Sequence, residues 1–354
     1  MLRMKKCCKV FLKILKCFFI AVSALIVLLL IVRFIGQRIN NRKPEGGINE
    51  QMYVDINGTK QWISIYGQDR DNPVLLWLQA GPGEASSAFN YAYTRKWSDV
   101  YTVVTWDKRY TGKTYCNDPT GTDLSFEQLM QDGKAITEFL RDYLGKERIT
   151  LMGHSWGSSF GCHLVLAYPE YYDCYIGAAQ YTDMTRMQNA FAEAAAKWVG
   201  DDAEGQALLE KLNPDSYWQI QSALLEKYGY AAYQDKFDYN QTLAMLFNPY
   251  YSLADFVKVY SMDLSVVDRY DKSYDTALSL DGKTEYQVPY YNINGACDYQ
   301  CSFELAQAYF DEITAPRKQL YLMEDTRHLV MDKTEEFSGI LHEIAETERQ
   351  YAKN

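Results

Sequence analysis

The sequence predicts an α/β fold, a mostly parallel sheet with helices on both faces and a helical cap insertion, preceded by one N-terminal transmembrane helix. Short runs such as VLLWL at 74–78 and YTVVTW at 101–106 are almost wholly apolar, as strands buried on both faces are. A helix-period segment lies between two such runs, which implies a right-handed strand–helix–strand crossover. The first 43 residues hold ten Lys or Arg and no acid, flanking an uncharged stretch at 17–32.

That uncharged stretch is 16 residues, short of the roughly 20 that cross a bilayer. Phe11, Leu12, Ile14, Leu15, Phe34 and Ile35 extend it to a span of about 11–35, with Lys13, Lys16 and Arg33 snorkelling to the headgroups. The rival is a cleaved signal peptide, since Ala21-Val22-Ser23-Ala24 resembles a cleavage site; a further apolar run follows it, which suits an uncleaved anchor better. Six basic residues precede the apolar core and four follow, so the positive-inside rule puts the N-terminus in the cytoplasm and the body outside the cell membrane. The remaining 311 residues carry 26 Lys+Arg against 46 Asp+Glu. Such a body repels nucleic acid, so none is expected as a partner.

With 47% hydrophobic residues and no linker or internal repeat, the chain reads as one body carrying an insertion. Of eight cysteines, Cys116, Cys162, Cys174, Cys297 and Cys301 lie in that body. Pairing of Cys297 with Cys301, or of Cys162 with Cys174, and free buried thiols are both open by spacing. Four histidines without paired ligand spacing predict no metal, and no cofactor is implied. Oligomeric state is not legible.

In chain order, 53–56 and 61–66 read as a hairpin around Asn57-Gly58, whose residues tolerate the positive φ of a tight turn. Strands follow at 74–78, 101–106 and 148–152. Between the last two, 125–144 opens with the capping pair Ser125 and Gln128 and continues with Leu129, Ile136, Phe139 and Leu140 at helical spacing. A helix at 158–168 ends at Pro169. From 181 to 285 the signals are helical, predicting a cap inserted between two body segments, 52–180 and 286–354. Strands return at 288–293 and 319–323, and 335–351 closes the chain as an amphipathic helix.

The strongest chemical signal is Gly153-His154-Ser155-Trp156-Gly157, a G-x-S-x-G directly after one predicted strand and before a predicted helix. A turn this sharp strains its central residue and needs small residues two positions to either side, so Ser155 is the expected nucleophile. A serine hydroxyl needs a base, and a base needs an acid to orient it. Of the four histidines, His154 sits in the elbow, His163 in the next helix and His342 on the closing helix; His328 follows the last strand, at a C-terminal strand end where open α/β sheets place their sites. Asp298, after the preceding strand, is the expected acid, preferred over Asp325 and Glu304. For the oxyanion, the N–H of Trp156 and that of Gly81 in Gln79-Ala80-Gly81-Pro82-Gly83 are the expected donors.

Together Gln79 to Gly83, Asp107-Lys108-Arg109-Tyr110-Thr111-Gly112-Lys113, the 153–157 elbow, the glycine-led 295–298 and His328 resemble the proline iminopeptidase family of α/β-hydrolases. Members usually carry His-Gly-Gly-Pro-Gly, Asp-Gln-Arg-Gly and Gly-Gly-Ser-Trp-Gly at the first three places. Here Gln79-Ala80, Lys108 and His154 depart from them. The resemblance implies a serine peptidase that releases N-terminal residues such as proline, with cap acids holding the free amine. Glu84, beside the glycine loop, is a physical candidate for substrate binding. Two other readings stand beside it: a hydrolase of small acyl esters, which the same machinery serves, and a catalytically silent binding domain.

Overall fold

The computed structural model describes residues 2–352 apart from 84, 119, 121, 122, 232–240, 264, 266–273 and 275. Its strands are β1 (Ile48–Ile56), β2 (Thr59–Gly67), β3 (Val74–Leu78), β4 (Thr102–Asp107), β5 (Ile149–His154), β6 (Tyr172–Ala178), β7 (Tyr290–Gly295) and β8 (Lys318–Met323). They form one eight-stranded sheet in the order β1-β2-β4-β3-β5-β6-β7-β8. β1 and β2 are an antiparallel lead-in, and every pairing from β4 through to β8 is parallel. The lead-in hairpin turns at Asn57 and Gly58, with φ of 49° and 77°.

Central strand β6 was not foreseen in the sequence. Its run YDCYIGA carries Asp173 and Gly177, which break the apolar pattern. It nevertheless lies between β5 and β7, buried except at Asp173, near the strand's start.

The helices are α1 (Leu2–Asn40), α2 (Tyr91–Thr94), α3 (Gly112–Asn117), α4 (Phe126–Leu144), α5 (Trp156–Ala167), α6 (Met184–Val199), α7 (Ala203–Leu209), α8 (Tyr217–Lys227), α9 (Gln241–Leu246), α10 (Leu253–Tyr260), α11 (Phe303–Glu312) and α12 (Thr334–Tyr351). Alternation along the strands divides the core into two layers. Leu76 and Leu78 pack with Ile136 and Leu140 of α4 and Phe160 and Leu164 of α5. Leu75 and Trp77 point the other way, onto Trp97 and onto Phe337, Leu341 and Ile344 of α12. Helix α4 begins where its cap predicts: Ser125 Oγ accepts from the Gln128 N–H at 3.2 Å. Helices α6 to α10 all lie between β6 and β7 in the chain.

Helix α1 contains the segment Phe11–Asn40, whose mean hydropathy reaches 2.9 and which is long and apolar enough to cross a membrane or to serve as a signal sequence. The six cysteines with described side chains are all free thiols, Cys297, Cys301, Cys162 and Cys174 among them.

Candidate active site

Ser155 stands between β5 and α5 with φ 54° and ψ −126°, a conformation that L-residues adopt only under constraint. Two close approaches impose it. A Cβ on Gly153 would overlap the Gly157 carbonyl, and one on Gly157 would lie 2.6 Å from the Leu78 carbonyl oxygen. The Ser155 N–H donates to the Ala178 carbonyl at 2.9 Å, so the unforeseen strand β6 fixes the elbow.

His328 brings its Nε2 to 2.9 Å from Ser155 Oγ and its Nδ1 to 2.9 Å from Asp298 Oδ2. A carboxylate only accepts, so Nδ1 carries the proton and Nε2 offers its lone pair to the serine hydroxyl. This is the tautomer a general base requires. Asp298 is 2% exposed, and its other oxygen accepts from the N–H groups of Gln300 and Cys301, each at 2.9 Å. The loops bearing acid and base are joined backbone to backbone: the Cys297 N–H donates to Thr326 O at 2.8 Å, and Ala296 N–H to Met323 O at 3.0 Å.

The glycine loop after β3 brings Gly81 against Trp156; a Cβ on Gly81 would lie 3.4 Å from the Trp156 ring. The N–H of Trp156 opens α5 and so has no acceptor within its own helix. Beneath this loop lies Lys108, 2% exposed. Its ammonium donates to Ala80 O at 3.4 Å and Gln79 O at 3.5 Å, and sits 5.6 Å from the centre of the Trp156 ring. A buried cation thus backs the two expected oxyanion donors. In the sequence Lys108 is visible only as a departure from the family pattern; its place below the loop depends on the β3–β4 pairing.

The neighbours of Lys108 are structural. Arg109 forms a buried ion pair with Asp132, whose two oxygens also accept from Asn57, Gln61 and Gln128 at 2.7–2.9 Å. Asp107 accepts from Ser87 Oγ at 2.8 Å and the Lys113 N–H at 2.7 Å, while burial pushes its carboxyl up to about 6.

His154 is buried, its Nε2 3.2 Å from the His328 carbonyl, to which it donates. Burial, with His328 as a lesser cause, holds its pKa down at about 3, so it is neutral and braces the base. Cys301 Sγ lies 4.0 Å from Ser155 Oγ, and burial raises the thiol well above its usual range. Neither role was visible in the sequence, since both residues meet the site through folding alone. Ser155 opens onto a cavity walled by Met184 and Met187 of α6, Tyr181, Trp218 and Cys301; among the described residues, no Asp or Glu lines it. Glu84 lies outside the described residues.

Ser155, His328 and Asp298 are thus brought together at the C-terminal end of a mainly parallel sheet, with Gly81 and Trp156 beside them, which is the architecture of a nucleophile-elbow hydrolase. A profile of the alpha/beta hydrolase fold matches residues 73–333, and the chain belongs to that family. It is 25% identical over 285 residues to a probable aminopeptidase, YbaC, of Bacillus subtilis (strain 168), covering 78% of this chain and 89% of that protein. Among solved structures, a membrane phospholipase A described as a bacterial virulence factor has a TM-score of 0.57 at 15% identity, covering 96% of this chain and 99% of the other. A proline iminopeptidase-related protein from Thermus thermophilus has a TM-score of 0.56 at 18% identity, covering 85% of this chain and 98% of the other.

Proposed function

We propose that the chain is a membrane-anchored serine hydrolase that works through an acyl-enzyme and releases N-terminal residues, such as proline, from peptides. The observation that carries the hydrolase reading is the unbroken pair of 2.9 Å contacts from Ser155 through His328 to Asp298. Ser155 Oγ attacks the scissile carbonyl carbon while its proton passes to His328 Nε2. The carbonyl oxygen becomes an oxyanion facing the N–H groups of Gly81 and Trp156, with Lys108 behind them. Collapse of the tetrahedral species breaks the C–N bond, and His328 returns the proton to the leaving amine. Water, deprotonated by the same ring, then frees the acyl group and restores Ser155.

The peptidase assignment is supported by the probable aminopeptidase among its relatives and by the iminopeptidase-like motifs. One observation favours a second reading, hydrolysis of acyl esters: among the described residues, the cavity wall beside Ser155 is built from Met184, Met187 and Trp218, side chains that suit an apolar acyl group. In both readings α1 is an uncleaved single-pass anchor with the body outside.

The test is turnover by the full-length protein of N-terminal-residue amides and of short acyl esters, with Ser155→Ala as control. Serine-dependent release from proline amides supports the peptidase assignment. Ester cleavage alone replaces it with the esterase reading, and no serine-dependent turnover of either class removes both.

A further inference from the structure

We propose that the exposed face of α10, together with Leu243 of α9, lies in the lipid headgroup layer as a second membrane contact of the body; this rests on the reading that α1 spans the bilayer. Counting at 1.5 Å per residue, the 22 positions 11–32 span about 33 Å, close to the roughly 30 Å thickness of a hydrocarbon core. Arg33 therefore marks the boundary between hydrocarbon and headgroups.

What Arg33 touches lies at that level too. Its guanidinium donates to Leu246 O at 2.6 Å, at the end of α9, and to Tyr251 O at 2.7 Å, just before α10, and stands 5.5 Å from the centre of the Phe256 ring on α10. One and two turns further on, Gln37 donates to Asn248 O at 2.7 Å and Asn40 to Phe247 O at 3.0 Å. Gly36 packs so tightly on Phe247 that a Cβ there would clash with the ring. Positions 33, 36, 37 and 40 form one stripe of α1, so the helix leaves the membrane already docked on 245–251, with no slack linker between. Helices α9 and α10 are therefore held at the membrane plane.

Helix α10 is amphipathic in the matching sense. Its inner face is fastened to the body by the Asp255–Lys113 ion pair at 3.1 Å and by packing of Phe256 against Tyr251, with ring centres 5.0 Å apart and planes tilted by 37°. Leu253, Val257 and Tyr260, spaced i, i+4, i+7, face outward and are 54%, 69% and 71% exposed; Leu243 is 50% exposed. Single exposed apolar residues are ordinary on a protein surface; three in register on one helix, at the level set by Arg33, fit an apolar interface. A tyrosine at the end of the row suits the headgroup region, where its ring and hydroxyl are both solvated. The occupant is zwitterionic lipid rather than anionic lipid, because the body carries a strong negative charge that anionic headgroups would oppose.

The test is photocrosslinking in the full-length protein reconstituted in phosphatidylcholine nanodiscs, with p-benzoylphenylalanine placed singly at Val257, at Ile31 within the span, and at Leu322 on the distant edge strand β8. The expected result is a phospholipid-mass adduct at 257 and at 31, several-fold above that at 322. An adduct at 31 without one at 257 overturns the inference while leaving the anchor standing. No adduct at 31 or 257 removes the anchor and the inference together, and equal adducts at all three positions mean that the α10 face has no preferred contact with lipid.

Discussion

Gly295, at the end of β7, lies against the carbonyl of Thr326 so closely that a Cβ would overlap it and would stand 2.6 Å from Arg327 O. The loop carrying the acid and the loop carrying the base are thereby in backbone contact, and the Asp298–His328 geometry depends on it. Gly295→Ala is expected to push the loops apart and lower kcat/KM at least tenfold, since misplacement by about 1 Å can cost a hundredfold. Steady-state kinetics beside a thermal melt checks this; full activity with an unchanged melting temperature would show that the contact is not needed.

Asp298→Asn keeps the size of the acid and removes its charge. The amide no longer favours a proton on His328 Nδ1, so Nε2 ceases to be the free base. A kcat loss on the order of 10⁴ is expected, by analogy with that change in other serine enzymes. A loss of less than tenfold would mean that Asp298 does not orient His328.

Lys108 tests whether charge or mere scaffolding supports the glycine loop. Lys108→Met removes both the cation and the donors to Gln79 O and Ala80 O, whereas Lys108→Gln keeps a donor. If the charge assists the oxyanion, both variants lose kcat by about 10–100-fold with KM little changed, less than the 10²–10³ of a direct donor. Retained kcat in Lys108→Gln would reduce Lys108 to a support for the loop.

Arg109→Ala leaves Asp132 buried without its cation, although Asn57, Gln61 and Gln128 still donate to it. Destabilisation of roughly 3–5 kcal/mol is expected, measured as a lowered denaturant midpoint with unchanged slope. The effect should fall on folding, because Arg109 makes no contact with Ser155 or His328.

His154 predicts an acid-labile fold. Its folded pKa, about 3, lies below the ordinary 6.5, so the unfolded chain takes up the proton first as pH falls. The neutral buried ring therefore contributes stability that is complete above pH 6.5 and is lost as pH falls toward 3. Relative to His154→Gln, the stability of the parent chain should drop by about 1 kcal/mol per pH unit below about 6.5. Parallel denaturant titrations at pH 7.0, 6.0 and 5.0, on the order of that window, check it; curves that stay parallel would show that His154 is not held neutral.

How much of this was legible in the sequence follows from what is local. The elbow, its flanking glycines and the order of Ser155, Asp298 and His328 are local patterns attached to strand ends, and the fold brings those three residues together. Strand β6 was hidden because Asp173 and Gly177 interrupt its apolar run, although the strand sits mid-sheet. The placements of Lys108, His154 and Cys301 are products of tertiary packing, with no signature in spacing. The docking of α1 through Arg33, Gln37 and Asn40 joins positions more than 200 residues apart, beyond the reach of any local pattern.

The most direct measurement is intact-mass and peptide mapping of the full-length protein after treatment with a fluorophosphonate, beside the Ser155→Ala variant. An activated Ser155 predicts one adduct, mapped to Ser155 and missing from the variant. No adduct on the folded parent protein, or an adduct that persists in Ser155→Ala, would contradict the assignment of Ser155 as nucleophile.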